Sequence, residues 1–407
     1  MKITVNRQEF LAVAQDAEKI IPSASQMDVL KCTFLSAADG KLTVAATNHE
    51  VAIERQIKAD VAEEGSVIVD AHLLCGMLRL LEDEFVTFAR EDHTLRVSGK
   101  SAVYTIIVFD EKEYPRMEIP FPADTVPVTG IPAMAKRTVF AVAEDNSKPQ
   151  MRCVHLIFTS DGLRAVGSDS YRIAMAKGDS KSTGATDMLI PATSLEKLAQ
   201  LVTNKDQLRV GTTGKTVVFM MEDPYLLFSA RLMEGDYFDA EQLMSRVQSA
   251  FSVLTDAEKL RGIVQSACAV RGEQSRFCLS FKGSTLGVMH ENEFGKSTAE
   301  MDVVPLSGNP AGEYWYVVDK LLDCLRAQHG TMMLEAAPNG ALVMRTDDLI
   351  CMQMPIREPG AIVIPAPKPK KEAKPKAEKP EPKPKDKKPA NAKGKKKKED
   401  AAVPKAA

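Results

Sequence analysis

The sequence predicts an α+β fold: three repeats of about 120 residues, each with two helices packed on antiparallel sheet, and then a C-terminal tail of different composition. Three observations predict it: a strand-turn-strand motif that recurs, a strand-to-helix motif that recurs at the same spacing, and a lysine- and proline-rich end. The chain has 407 residues, 44% of them hydrophobic. Single cores stop growing near roughly 250 to 300 residues, so more than one domain is expected.

Each repeat opens with a predicted helix. In the first repeat Asn6 can cap the helix, and Glu9 stands three residues later, the spacing of a capping box. The apolar residues that follow fall on one helical face: Phe10, Val13, Ala17 and Ile20. We expect equivalent helices over 131–143 and 257–270.

A strand-turn-strand motif follows each of these helices. It reads TFLSAADGKLTVAATNHEVAI from Thr33, LIFTSDGLRAVGSDSYRIAM from Leu156 and, more faintly, CLSFKGSTLGVMHENE from Cys278. Runs such as KLTVAAT and LRVSGK alternate apolar and polar residues, which is typical of antiparallel strands with one exposed face.

A second helix is predicted in each repeat by the segments SVIVDAHLLCGMLRLL, DMLIPATSLEKLAQLV and YWYVVDKLLDCLRAQ. Each runs from a short strand into apolar residues at helical spacing, with Leu74, Leu195 and Leu322 in equivalent positions. The repeats predict domains over 1–124, 125–247 and 248–358.

The remaining residues, 359–407, form a tail rich in Lys, Pro and Ala. From Ala361 onward there are 16 Lys against 6 acidic residues, which leaves 37 basic and 49 acidic residues before it. The repeats therefore carry a net charge of about −12 and the tail about +10. A tail of this composition cannot bury enough apolar surface to offset the entropy of ordering, so we expect it to be disordered.

Signals for catalysis and cofactor binding are weak. GTTGKT, from Gly211, has two residues between its glycines where a phosphate loop needs four, and is better explained as a hairpin turn. Seven cysteines without C-x-x-C spacing predict buried, reduced thiols. The charged N-terminus and the lack of a long apolar run predict a cytoplasmic protein. We expect no catalytic residue, metal or cofactor; the alternative is a nuclease that uses turn carboxylates such as Asp169.

The order of the repeats, the turns DGKLTVAATNHE and DGLRAVGSDSYRIA, the opening MKITV and the closing MPIR resemble one family. From Met1 to about Arg357 the sequence is similar to the bacterial sliding clamps, the beta subunits of DNA polymerase III. The resemblance implies a head-to-tail homodimer that forms a six-domain ring around duplex DNA. It implies as partners the replicative DNA polymerase, the clamp loader and DNA repair factors.

The resemblance also implies a groove between the second and third domains that receives short apolar peptides from these clients, where flexible methionines accept varied Leu and Phe side chains. The residues matching this groove are Cys153, Ser168, Ser170, Tyr171, Arg172, Ile173, Phe238, Gln242, Leu243, Met352, Met354, Pro355, Ile356 and Arg357. Ser170, Tyr171, Phe238 and Gln242 stand where relatives usually have glycine, histidine, proline and arginine, so client preference is expected to differ. An edge strand packed on the third domain is the alternative for the segment 352–356.

Basic residues on the proposed helices are the candidates for sequence-independent phosphate contacts inside the ring. They are Arg79, Lys136, Arg137, Lys197, Lys320 and Arg326. For each of them a solvated helix face is the alternative. The tail could tether DNA, mask the groove or have no binding role, and we favour the tether. The rival hypothesis for the whole chain is a repeat scaffold that binds DNA nonspecifically through this tail.

Overall fold

The structure, a computed structural model, describes residues 1–22, 27–109, 111–115, 119, 121–145, 148–178, 180, 186–270, 272 and 275–357. The predicted disorder of the tail over 359–407 lies outside these residues. Within them the predicted α+β class is confirmed, because each repeat places helices against antiparallel sheets.

Three pairs of helices pack together, α1 with α2, α3 with α4 and α6 with α7, which confirms two principal helices per repeat. The helices are α1 Arg7–Ile20, α2 Ala71–Leu80, α3 Ile131–Thr138, α4 Ala192–Ala199, α5 Ala240–Ser245, α6 Ala257–Ala267 and α7 Val318–Ala327. The short helix α5 is an addition that the periodicity did not predict. Over the described part of the chain, every helix is too short or too polar to span a membrane.

The first helix begins where the sequence predicts. Asn6 Oδ1 accepts hydrogen bonds from the backbone N–H groups of Gln8 and Glu9 at 3.0 and 3.1 Å, which satisfies two donors of the first turn. All four residues of the predicted apolar face are buried. Helix α1 is thus determined by its local sequence.

The helix predicted over 131–143 is shorter in the structure. Helix α3 ends at Thr138 and continues only as a 3₁₀ turn, Val139–Ala141. The carbonyl of Thr138 packs against Gly167, where an added Cβ would lie 2.3 Å from the carbonyl oxygen. Only glycine permits this approach, so a neighbouring strand fixes the end of the helix. Helix α6 likewise ends three residues before the predicted position.

Four sheets contain the strands of the described chain. In chain order the strands are β1 Lys2–Asn6, β2 Cys32–Ala38, β3 Lys41–Thr47, β4 Val51–Lys58, β5 Asp60–Glu63, β6 Gly65–Asp70, β7 Phe85–Glu91, β8 Thr94–Ser98, β9 Val103–Ile107, β10 Val126–Val128, β11 Cys153–Thr159, β12 Gly162–Ser168, β13 Arg172–Gly178, β14 Thr186–Pro191, β15 Leu208–Thr213, β16 Thr216–Met221, β17 Leu226–Arg231, β18 Phe251–Asp256, β19 Arg276–Lys282, β20 Thr285–Asn292, β21 Gly295–Asp302, β22 Val304–Ser307, β23 Ala311–Val317, β24 Thr331–Ala336, β25 Leu342–Arg345 and β26 Leu349–Gln353.

Two of the sheets run without interruption from one repeat into the next. The eight-stranded sheet has the order β10-β15-β16-β17-β4-β3-β2-β6, so β17 of the second repeat pairs with β4 of the first. The nine-stranded sheet has the order β14-β11-β12-β13-β26-β25-β24-β18-β22, so β26 of the third repeat pairs with β13 of the second. Backbone hydrogen bonds therefore join neighbouring repeats.

The other two sheets belong to the first and third repeats. Their orders are β5-β1-β7-β8-β9 and β21-β20-β19-β23. The repeated sequence motifs correspond to the hairpins β2–β3, β11–β12 and β19–β20, as predicted. GTTGKT is the hairpin turn between β15 and β16, with Gly214 at a φ of 57°.

The seven cysteines are buried and free, which agrees with the prediction of buried thiols. Burial raises the pKa of the Cys32 and Cys75 thiols to about 12 and that of Cys153 to about 11. These thiols stay protonated near neutral pH, so they act as small apolar residues of the core.

Candidate peptide-binding groove

The turn between β12 and β13 forms one side of the groove. Asp169 Oδ1 accepts hydrogen bonds from the backbone N–H groups of Tyr171 and Arg172 at 2.9 and 3.0 Å, and Ser168 Oγ donates to the carbonyl of Arg172 at 2.9 Å. Ser170 has a φ of 74°, a left-handed conformation that favours glycine. The turn holds the side chain of Tyr171 outward, with 58% of its surface exposed.

The end of the third repeat forms the floor. Strand β26 pairs with β13, with Met352 opposite Ile173, and the N–H of Met354 donates to the carbonyl of Tyr171 at 2.8 Å. Met352 and Ile173 are each 5% exposed and belong to a small apolar cluster, separate from the main core, that both repeats contribute to. The groove therefore exists only where the second and third repeats meet.

Helix α5 and the residues around it form the opposite wall. Asp239 caps the helix by accepting from the N–H of Gln242 at 2.9 Å. Phe238 stacks on Tyr237 with ring centroids 4.7 Å apart, and Leu243 is 38% exposed. Between these walls lies a cavity of about 610 Å³, within the size range of peptide and ligand sites.

Nine of the fourteen groove residues predicted from the sequence line this cavity: Ser168, Ser170, Tyr171, Arg172, Ile173, Phe238, Leu243, Met352 and Met354. Five do not: Cys153, Gln242, Pro355, Ile356 and Arg357. The role of each residue in binding remains a prediction.

The five other residues have separate surroundings. Cys153 is fully buried and borders a second cavity of about 440 Å³ beside α4. Pro355 packs beside Gly340, and the N–H of Ile356 donates to the carbonyl of Trp315 at 2.8 Å. Gln242 and Arg357 are exposed outside the cavity.

Eight lining residues were missed from the sequence: Met151, Arg246, Val247, Gln248, Ala337, Pro338, Asn339 and Ala341. The sequence contained a signal for two groups of these residues. Residues 246–248 follow Leu243 by about one helical turn, and A-P-N-G over 337–340 is a turn signal between two apolar runs. The turn reaches the groove because β24, β25 and β26 are consecutive neighbours in one sheet.

Arg172 lies at the base of the groove, but its charge is compensated by carboxylates of the protein itself. The side chain is 7% exposed, and Nη1 donates to the Asp323 carboxylate at 2.9 Å and to the Lys320 carbonyl at 3.0 Å. Nη2 donates to the carbonyl of Phe140, and Nε lies 3.2 Å from the Asp169 carboxylate. Arg172 thereby connects the second repeat to α7 of the third.

Lys320, a candidate phosphate contact, belongs to the same network. Its ammonium forms an ion pair with Asp169 and lies 5.2 Å from the centroid of the Tyr171 ring. The ion pair and the cation–π contact connect α7 to the groove turn.

Three of the other candidate phosphate contacts also pair with carboxylates. Arg326 pairs with Asp323 at 2.7 Å, and Arg137 pairs with Asp348. Arg79 pairs with Glu18 at 2.8 Å; burial disfavours the charged form of Glu18, but hydrogen bonds from His72 and Arg79 outweigh it and lower its pKa.

Lys197 and Lys136 differ from each other in exposure. Lys197 donates to the carbonyls of Ile20 and Lys19 at 2.7 and 3.3 Å and so caps the end of α1 from the second repeat. Burial lowers the pKa of Lys197. Lys136 is exposed and makes no hydrogen bond or ion pair with the described residues. Contact of these six residues with DNA remains a prediction.

The turn carboxylates that suggested a nuclease are engaged with cations, since Asp169 contacts both Arg172 and Lys320. Over the described ranges, no three His, Cys, Asp or Glu side chains come together in a way that could hold a metal ion.

Family models and relatives agree on one family. Residues 1–118 match the model of the DNA polymerase III beta subunit N-terminal domain, and residues 125–239 match the model of its central domain. The Beta sliding clamp of Pseudomonas aeruginosa is 23% identical over 372 residues, 88% of this chain and 100% of that one. The Beta sliding clamp of Streptomyces coelicolor is 25% identical over 244 residues, 58% of this chain and 65% of that one.

Solved structures show the same fold. The DNA polymerase sliding clamp of Bacillus subtilis aligns with a TM-score of 0.82 at 19% identity, over 88% of this chain and 99% of that one. The sliding clamp of Pseudomonas aeruginosa bound to griselimycin aligns with a TM-score of 0.81 at 20% identity, over 88% of this chain and 100% of that one. Because two successive domain models of one family together match more than half of its residues, this chain belongs to the DNA polymerase III beta subunits, the bacterial beta sliding clamps.

Proposed function

We propose that this chain is a processivity clamp: a homodimeric ring that encircles duplex DNA in the cytoplasm and tethers the replicative DNA polymerase, without catalytic residues of its own. One observation carries the proposal. An apolar groove of about 610 Å³ is assembled from two repeats of a sliding-clamp chain.

The repeat pattern indicates how the ring closes. At each boundary within the chain, the strand that follows a repeated hairpin pairs with the last strand of the next repeat. These pairs are β4 with β17 and β13 with β26. In the third repeat the strand equivalent to β4 and β13 is β21, and in the first repeat the strand equivalent to β17 and β26 is β9. Both are edge strands of their sheets. Pairing β21 of one chain with β9 of a second repeats the same junction, and doing so twice closes a two-chain ring.

Exposed apolar side chains occur in both of the repeats that contain these edges. Ile107 on β9 is 77% exposed, and Leu80 on α2 of the same repeat is 73% exposed. Val270, after α6, is 61% exposed, and Phe294, just before β21, is 71% exposed. Unpaired edge strands flanked by apolar residues favour association, which supports the junction between the first and third repeats.

A sliding clamp needs weak, sequence-independent contacts with DNA. The repeats carry a net charge of about −12, so the ring as a whole does not attract phosphates. Most candidate helix cations are also compensated by carboxylates or carbonyls. Binding to DNA would therefore depend on enclosure rather than on affinity.

The groove supplies the client site. Its floor of two methionines and Ile173 can adapt to different aliphatic or aromatic side chains, and the exposed Tyr171 and Leu243 border its opening. Clients would share one groove by presenting short apolar segments.

The proposal is tested by primer extension on a primed circular single-stranded DNA with the cognate polymerase and clamp loader. Adding the chain should lengthen the products made in one binding event, and Leu243→Asp in the groove should abolish the gain. Leu306→Asp, at a residue 49% exposed outside the groove, should leave the gain intact. Products of unchanged length with the unaltered chain would refute the proposal.

A further inference from the structure

The groove of this chain is apolar, but an arginine side chain whose charge is free within the described structure lies at its rim. Of the two arginines that line the cavity, Arg172 is 7% exposed and holds Asp323 and backbone carbonyls. It therefore has little capacity left for a peptide. The other, Arg246, is exposed at the end of α5.

Arg246 has no compensating charge in the described structure. Its side chain makes no hydrogen bond or ion pair with the described residues. The acidic residues of its own wall are engaged elsewhere: Asp239 caps α5, and Glu241 pairs with Arg164. An uncompensated guanidinium beside an apolar cavity attracts a carboxylate.

We propose that Arg246 is a specificity-determining residue of the groove and binds an Asp or Glu side chain that neighbours the apolar anchors of a client peptide. This inference rests on the proposed client site. A peptide that carries an acid would otherwise meet a protein of net negative charge, so Arg246 is the feature that makes such a peptide acceptable. A client with anchors alone would bind, but less tightly.

The test is fluorescence anisotropy with the full chain and fluorescein-labelled nine-residue peptides. Each peptide has two leucines and one phenylalanine as anchors. One pair carries Asp or Asn before the anchors, and a second pair carries Asp or Asn after them. The proteins compared are the unaltered chain, Arg246→Gln, Arg246→Lys and the charge-matched control Lys282→Gln, whose residue is exposed outside the groove.

We expect the Asp peptide of one pair to bind the unaltered chain about two-fold to five-fold more tightly than its Asn partner, as for a solvent-exposed ion pair. The preference should vanish in Arg246→Gln, persist in Arg246→Lys and Lys282→Gln, and decline as salt is raised. An equal preference in Arg246→Gln would overturn the assignment, as would no preference for Asp in either pair.

A peptide with alanine at all three anchor positions separates this inference from the proposed function. If the alanine peptide binds as tightly as its parent, the groove does not recognise apolar anchors, and both proposals fail. If the anchors matter and the acid does not, the client site stands and only the role of Arg246 is overturned.

Discussion

At the scale of single residues, charge networks set the position of the groove turn. Arg172 was expected to contact clients, but its guanidinium is buried between Asp169, Asp323 and two carbonyls. A sequence cannot reveal such pairing, because Asp323 is 151 residues away and approaches only after α7 packs on the second repeat. The same limit applies to Lys197, whose acceptors are carbonyls of another repeat.

We expect Arg172→Met to destabilise the protein by about 2 to 4 kcal/mol, since it removes a buried guanidinium that contacts the carboxylates of Asp169 and Asp323 and two backbone carbonyls. Urea denaturation followed by circular dichroism measures the effect. Arg326→Met removes a cation that also pairs with Asp323 but is 50% exposed, so it should cost less than about 1 kcal/mol. Equal costs for the two variants would show that the burial of Arg172 does not matter.

At the scale of elements, helices with local signals were predicted best. Asn6 and the apolar face that follows it determine α1, whereas the end of α3 depends on its contact with Gly167 in another strand. The closing segment 352–357 was associated with the groove through family resemblance, and the structure brings only Met352 and Met354 of it into the cavity. The turn at 337–341 was missed because only sheet pairing brings it there.

Helix α5 provides an element-scale prediction, because it is short and its cap is a single side chain. Asp239→Ala should destabilise the wall that contains Leu243 and Arg246 by about 0.5 to 2 kcal/mol. It should therefore weaken the binding of an apolar peptide. Asp256→Ala removes the equivalent cap of α6, which is outside the groove, and should leave peptide affinity unchanged. Anisotropy titrations of a labelled apolar peptide with both variants test this prediction. An equal loss of peptide affinity in the two variants would contradict a local role for α5.

At the scale of the whole molecule, the internal junctions predict the one between chains. We assign dimerisation to the edges β9 and β21, since these are the strands equivalent to the paired ones at the two internal boundaries. Sequence repeats alone predicted three units, but the pairing of the sheets was needed to identify the free edges.

Ile107→Glu should therefore convert the dimer to monomer, because it places a charge on an apolar edge. Sedimentation velocity distinguishes the two species. Val304→Glu alters another exposed apolar residue, 61% exposed on β22, and should leave the dimer intact. A dimer that survives Ile107→Glu would place the interface elsewhere.

The most direct test of the central claim is retention on DNA at raised salt after loading by the cognate clamp loader. The chain should co-elute with nicked circular DNA in gel filtration and be lost once the circle is linearised, since a ring can slide off an end. The same result is expected after deletion of residues 361–407. Equal, salt-sensitive binding to circular and linear DNA that disappears with the deletion would contradict a topological clamp and leave a DNA binder that acts through its basic tail.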